Sequence, residues 1–554
     1  MGDHAVSSAT TLTIRVLSTL LREDVLGLRT LGAVVERADG RWVQVNLGGR
    51  ALALPVAEDN FQCEYAARRP VLEVDGSEFT RLDDILGVLQ ELADPEDRGG
   101  YETFADECRQ TLVTMELHDE IQDDVRAALA TRYGDDPMQW TGLQASVAFD
   151  TLAAFHDHPV YPTARGRIGF TPDQVRAYTP ELHPTFQLRW IAVSGTPEVA
   201  WPSWWPTAAD VGLPELTDQH LIPVHPLTDV TELDCVPAPR PYLDVVPTLS
   251  TRTVAVVQDP RRHLKLPLAT ATLGARNRRT IKAGVLVDGA GGERLMAAVI
   301  AREPRFATTV LNADEQTYFE SGHELLAVLL RQYPEGLDDV LTVPLAAFTA
   351  SAPDGRRVVE HLADRFYGGD LLGLYDAFVT LLLDWQTTLF GYGIAIESHQ
   401  QNTSVVFDGT GDLRLLYKDN DGLRINRRRS ELGAAAEARG DFTDPRMFGD
   451  DDRALTDLFT TITGHLCTAS LAFALDVPLE KTLGVLRTRL IEAVDRLGPA
   501  GAALRADLLD ADRLPVKAMV TAGTLLSKQR SGAADINKHY TTGPNYLHLA
   551  ATGR

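Results

Sequence analysis

Apolar residues recur at helical spacing from Thr10 to Leu26, alternate with polar ones over Trp42 to Leu47 and Ala51 to Val56, and return to helical spacing from Tyr101 to Tyr133. A period near 3.6 puts one apolar face on a helix, whereas a period of two puts one on a strand. The first 150 residues are therefore predicted to mix helix and sheet. From His158 to about Arg302 prolines are frequent, and short apolar runs such as Thr253 to Val257 and Leu264 to Leu268 predict strands. Beyond Glu303 the pattern is helical, in His323 to Tyr333, in Leu371 to Phe390 and again from Asp452 to about Lys528. One hairpin interrupts it: Thr403 to Phe407, a turn of Asp408-Gly409-Thr410-Gly411-Asp412, then Leu413 to Tyr417.

Composition narrows the function class. With 554 residues, 44% of them hydrophobic and 23% charged, the chain can bury a large core divided among several structural units. A net charge of -24 argues against a nucleic-acid partner, since phosphate backbones call for a basic surface. The four cysteines, Cys63, Cys108, Cys235 and Cys467, lie far apart with no ligand spacing, which fits a reducing compartment and predicts no zinc site. Charged residues break the first apolar stretch, so no secretory leader is expected. Asp376 and Asp384 interrupt Leu371 to Phe390, which reads as a core helix rather than a membrane span. A cytoplasmic location is expected.

Two segments flank the open end of the hairpin. Glu397-Ser398-His399-Gln400-Gln401-Asn402 precedes its first strand, and Lys418-Asp419-Asn420-Asp421-Gly422 follows its second. Pairing of the strands should bring Glu397, His399 and Asn402 near Asp419 and Asp421. Such oxygen donors suit a hard cation such as Mg²⁺ that also touches ATP phosphates. The bland alternative is a polar hairpin mouth in which Asp421-Gly422 only makes a turn.

A second group is basic. Thr248-Leu249-Ser250-Thr251-Arg252-Thr253 is followed by His263-Leu264-Lys265-Leu266 and then by Arg276, Arg278 and Arg279. Hydroxyls beside arginine and a lysine on an apolar strand can bind phosphate oxygens, although an edge strand often carries an exposed lysine with no such role. A third group, His156-Asp157-His158 to Arg165-Gly166-Arg167-Ile168-Gly169-Phe170, lacks zinc spacing and reads first as loop-anchoring histidines that hydrogen-bond backbone. Arg427-Arg428-Arg429 reads as a solvated surface run.

In this order the segments resemble the siderophore synthetases that work independently of nonribosomal peptide synthetases, the aerobactin synthetase-like family. The resemblance covers about residues 150 to 425. It rests on Asp157 to Phe170, on Pro223 to Pro226, on Ser250, Arg252 and Thr253, on Lys265 to Leu268, on Glu397, His399, Gln401 and Asn402, and on Lys418 to Gly422. The chain departs from the family pattern at Asp157, where glycine is usual, at Tyr161 for histidine, Arg165 for lysine and Lys418 for arginine.

The resemblance implies an α+β cupped hand: a thumb at 1–150, fingers at 151–310, and a mostly helical palm at 311–554 that resembles a protein kinase. It implies an ATP-dependent synthetase, commonly a homodimer, that adenylates citrate or a related carboxylic acid and condenses it with an amine or hydroxyl. Carried over residue by residue, Ser250, Arg252, Thr253, Lys265, Gln401, Asn402 and Asp419 would hold ATP. His158, Arg167, Arg279 and His399 would meet the acid, and Glu397, Asn402 and Asp419 would hold Mg²⁺. Lys265, Arg279 and His399 would carry catalysis, with His399 a candidate base for the acceptor amine. A kinase-like phosphotransferase is the competing enzyme reading, against which no glycine-rich loop or His-Arg-Asp pattern is present. A noncatalytic binder of carboxylates or metal chelates is the third.

Overall fold

The helix Ser8–Arg22 begins where Ser7 accepts a hydrogen bond from the Thr10 amide, and it buries Leu12, Val16, Leu17, Leu20 and Leu21 along one face. A computed structural model describes residues 7–195, 199–532 and 539–551. That buried face belongs to a core shared with a six-stranded antiparallel sheet built on Gly40–Leu47 and Arg50–Glu58, and with the 36-residue helix Arg98–Tyr133. The helix Gly142–Ala154 is buried on almost every side and leads into the His156–Phe170 loop.

An antiparallel sheet of eight strands follows, with its own core around Leu188, Trp190, Val254, Leu264 and Val328. Across it run Asp314–Glu320, Ala327–Gln332, Asp259–Lys265, Thr253–Val256, Tyr242–Pro247, Phe186–Ser194 and Gln219–Val224, with Val236–Pro237 beside Phe186–Ser194. The segment His323 to Tyr333, expected as helix, is thus a strand in its central part. Leu325 to Leu330 is a continuous apolar run of strand length, and periodicity alone cannot separate a doubly buried strand from a short helix. Because Asp314–Glu320 and Ala327–Gln332 join this sheet, the expected division at residue 310 cuts through it.

The hairpin forms as expected, in the register Thr403↔Tyr417 to Phe407↔Leu413. It sits in a four-stranded sheet between Val310–Asn312 and Leu341–Pro344. Behind it lies the helix Leu371–Gly391, whose Gln386 donates to the Tyr417 hydroxyl. Among the described residues no single helix is long and apolar enough to cross a membrane. The C-terminal part is helical as expected up to Asp510, then adds the strand Arg513–Lys517, paired with Tyr540–Pro544. A buried carboxylate ties this end to the first helix: Glu23 accepts from the Val520 and Thr521 amides at 3.1 and 2.8 Å. Arg429 belongs to no solvated run, since it donates to the Phe390 and Gly391 carbonyls and pairs with Asp452.

Candidate active site

A cavity of about 380 Å³ lies between the end of the eight-stranded sheet and the mouth of the hairpin. Its basic wall begins at the turn between Tyr242–Pro247 and Thr253–Val256. There Thr248 accepts the Thr251 amide, Thr251 adopts φ 64°, and the Ser250 and Thr253 hydroxyls stand 3.1 Å apart. Ser250 and Arg252 line the cavity; Thr253 is buried just behind them. Arg252 donates to the Arg279 and Thr280 carbonyls at 3.0 and 2.9 Å, which fixes the segment that presents Arg279. No carboxylate of the described residues lies within 4.0 Å of Arg279, and its Nε has no partner. Burial and the neighbouring Arg252 lower the Arg279 guanidinium to about 9, a strained cation that an incoming anion would relieve.

Lys265 is not on an edge. Its strand pairs on both sides, its side chain is 3% exposed, and its ammonium lies 2.6 Å from Asp419 Oδ1 and 3.3 Å from Asp421 Oδ2. An ammonium held this far from water requires anionic partners, and the hairpin mouth supplies them.

The mouth is closed by backbone bonds. The Lys418 amide donates to the Asn402 carbonyl at 3.1 Å, and the Asn402 amide to His399 at 2.9 Å, so Asn402 and Asp419 are neighbours. Asp419 takes the left-handed φ of 59°. Glu397 packs on Gly422, where a Cβ would stand 2.6 Å from its carboxylate and push that side chain aside. Lys418 points behind the hairpin toward Tyr333 and Asp150, outside the cavity lining. Glu397, Asn402, Gln401, Asp419 and Asp421 all line the cavity. Among the described residues, however, no three acidic or histidine groups converge closely enough to hold a metal unaided. This all-oxygen donor set fits Mg²⁺ only when phosphate oxygens complete its shell.

His158 and His399 share one arrangement. His158 Nδ1 accepts the Val160 and Tyr161 amides at 3.2 and 3.0 Å, and His399 Nδ1 accepts the Gln401 amide at 3.3 Å. Burial lowers both, His158 to about 3, so each ring is neutral at pH 7 with its proton on Nε2. In this arrangement His399 presents its Nε2–H to the cavity as a hydrogen-bond donor. Arg167 lines the cavity, but its Nη atoms are spent on the Ala164, Arg165 and Gly166 carbonyls and on buried Glu181 at 2.6 Å. In this structure it shapes the loop that carries His158. Two of the departures from the family pattern pair with each other: Arg165 donates to Asp157 at 2.8 Å. Tyr161 points away, toward Glu107.

Sequence reasoning missed Lys517. It enters from the C-terminal strand, 3.8 Å from Glu397, with Met519 beside it. Ile462 and Leu466 line the same wall from a π-helical stretch, Phe459–Ala469, where Cys467 donates to the Ser398 carbonyl. In all, six basic and four acidic side chains line the cavity, an excess of two positive charges in a protein whose net charge is strongly negative.

Fold and cavity together set a basic sheet end against a carboxylate-bearing hairpin. Residues 146–350 match the IucA / IucC family model, and residues 377–531 match that of the ferric iron reductase FhuF-like transporter. The chain is 24% identical over 323 residues to staphyloferrin B synthase of Staphylococcus aureus, covering 50% of this chain and 54% of that protein. It is 27% identical over 404 residues to the rhizobactin siderophore biosynthesis protein RhbC of Rhizobium meliloti, covering 59% and 62%. The chain thus spans between half and two thirds of these relatives' lengths. Over nearly the whole chain the fold matches the petrobactin biosynthesis protein AsbB from Bacillus anthracis, with TM-score 0.74, 16% identity and coverage of 98% and 96%. It also matches ATP-bound aerobactin synthetase IucA from Klebsiella pneumoniae, with TM-score 0.70, 18% identity and coverage of 98% and 100%.

Proposed function

We propose that the protein is an ATP-dependent synthetase that adenylates a small polycarboxylic acid, citrate or a relative of it, and condenses it with an amine or hydroxyl in siderophore biosynthesis. The observation that carries this reading is the paired wall of the cavity: unneutralised Arg252 and Arg279 face Lys265 bridged to Asp419 and Asp421. Attack of a carboxylate on an α-phosphate brings two anions together, and fixed cations remove the repulsion while stabilising the departing pyrophosphate. Ser250, Arg252, Thr253 and Lys265 take the phosphates, with Gln401 and Asn402 beside the nucleotide. Arg279 and the Nε2–H groups of His158 and His399 take the acid, and Lys517 adds a cation beside them. Mg²⁺, where bound, screens the phosphates; Glu397, Asn402 and Asp419 would hold it.

The named relatives are siderophore proteins and one neighbour binds ATP, which supports the reading. In the same reading the chain is a cupped hand of thumb, fingers and kinase-like palm, works as a homodimer and acts in the cytoplasm. The test is a panel of polycarboxylic acids with MgATP and excess hydroxylamine. Acyl-hydroxamate with AMP and pyrophosphate is expected; accumulation of ADP would replace adenylation by phosphoryl transfer.

A further inference from the structure

Two buried residues outside the cavity lining grip Asp419 from behind. Arg331 and Glu315 sit on neighbouring strands of the eight-stranded sheet and are 1% and 2% exposed. Glu315 Oε1 accepts Arg331 Nε at 2.7 Å and the Asp419 amide at 3.0 Å; Oε2 accepts the Asn420 amide at 3.2 Å and Asn420 Nδ2 at 3.3 Å. Arg331 Nη2 in turn donates to Asp419 Oδ1 at 2.7 Å. One carboxylate therefore holds the backbone that keeps Asp419 in its left-handed conformation, and one guanidinium holds the Asp419 side chain.

From this geometry we infer that Glu315 and Arg331 are positioning residues that aim Asp419 Oδ2 at the cation of a bound metal–nucleotide complex. Oδ1 is filled by Lys265 and Arg331, while no hydrogen bond reaches Oδ2 among the described residues. Of the two cations on Oδ1, Lys265 lines the cavity and is free to follow a phosphate. Arg331 does not line it and stays tied to Glu315. When nucleotide draws Lys265 away, the Arg331 fork keeps Asp419 in place and partly neutral. Arginine meets its two carboxylates through a rigid planar fork that fixes their orientation, whereas a lysine ammonium is a single point of charge. A buried charged pair is often replaceable by apolar groups at no loss of stability, so stability is a weak account of it. The inference rests on the nucleotide-binding reading above.

The experiment measures ATP binding without turnover, by calorimetry over a Mg²⁺ series and in EDTA, for the full chain and for Glu315→Gln, Arg331→Met and Arg331→Lys. We expect the Mg²⁺ midpoint to rise about tenfold in Glu315→Gln and Arg331→Met and about threefold in Arg331→Lys, with affinity in EDTA unchanged within twofold. Equal losses with and without Mg²⁺ in folded variants would mark a structural brace and overturn the inference, as would unchanged midpoints. If the first two variants fail to fold, Arg331→Lys decides alone, because it keeps the charge and removes only the fork. Absence of ATP binding by the unaltered protein, by contrast, would overturn the nucleotide reading itself.

Discussion

Lys265 Nζ bridges Asp419 Oδ1 and Asp421 Oδ2, at 2.6 and 3.3 Å, and thereby offsets the repulsion between two carboxylates that line the cavity. Lys265→Met removes this bridge and one phosphate contact. The KM for ATP should rise ten- to a hundredfold, about 1.5–3 kcal/mol for a charge-assisted contact, with the KM of the acid little changed. Steady-state kinetics with each substrate varied in turn measures the split. Equal effects on both would place the phosphates elsewhere.

Arg279→Ala should show the opposite pattern. Its guanidinium has no carboxylate partner, so its loss should spare the fold. The cost falls on the acid, again about ten- to a hundredfold in kcat/KM. Thermal unfolding within a degree or two of the parent, together with an acid-specific defect, is the expected result.

For Asp419→Asn the structure changes what the sequence suggests. Read as a metal ligand alone, the residue should tolerate an isosteric amide. Because Asp419 neutralises both Lys265 and Arg331, the amide leaves two buried cations short of an anion. Breaking a buried pair by removing one partner costs about 3–5 kcal/mol. Asp419→Asn should therefore lose stability in urea as well as need more Mg²⁺, whereas Asp421→Asn, with its more exposed side chain, should lose less of each.

Acid should weaken the fold through four buried histidines. His158 and His225 are lowered to about 3 by burial, and His183 and His465 to about 4. The unfolded chain protonates each near 6.5, so it binds more protons than the native state below that pH. The stability these rings contribute is complete above pH 6.5 and is lost as pH falls toward 3–4. Urea midpoints should drop between pH 7 and 5, by up to about 1.4 kcal/mol per ring per pH unit. His158→Asn, whose side-chain oxygen can replace Nδ1 as acceptor, should flatten that slope.

The residues legible in the sequence were those whose partners lie nearby along the chain. The hairpin emerged with its true boundaries because two short apolar runs of strand length flank a glycine-rich turn, and its closure placed Asn402 beside Asp419. Lys265 was visible as a charge on an apolar strand, but not as an interior one, because nothing local shows that Ala327–Gln332 pairs beside it. Arg331 and Glu315 carry no motif: their partner Asp419 is 88 and 104 residues away. Lys517 is equally remote from Glu397. Such contacts come from the packing of distant strands, which a local pattern does not encode.

The Glu23 clamp on Val520 and Thr521 also bears on how the chain comes into being. Its partners are separated by 497 and 498 residues, so the first helix is synthesised long before the amides that complete it. At about 5–20 residues per second, a ribosome leaves that helix waiting roughly 25–100 s with its buried acid unpaired. Contacts of such range slow folding far more than they weaken the finished protein, since loop-closure entropy grows only with the logarithm of length. Lys517 leaves the ribosome just before those amides. Cavity and clamp thus mature in the same late stretch of synthesis, and a nascent chain stalled before that strand would have neither.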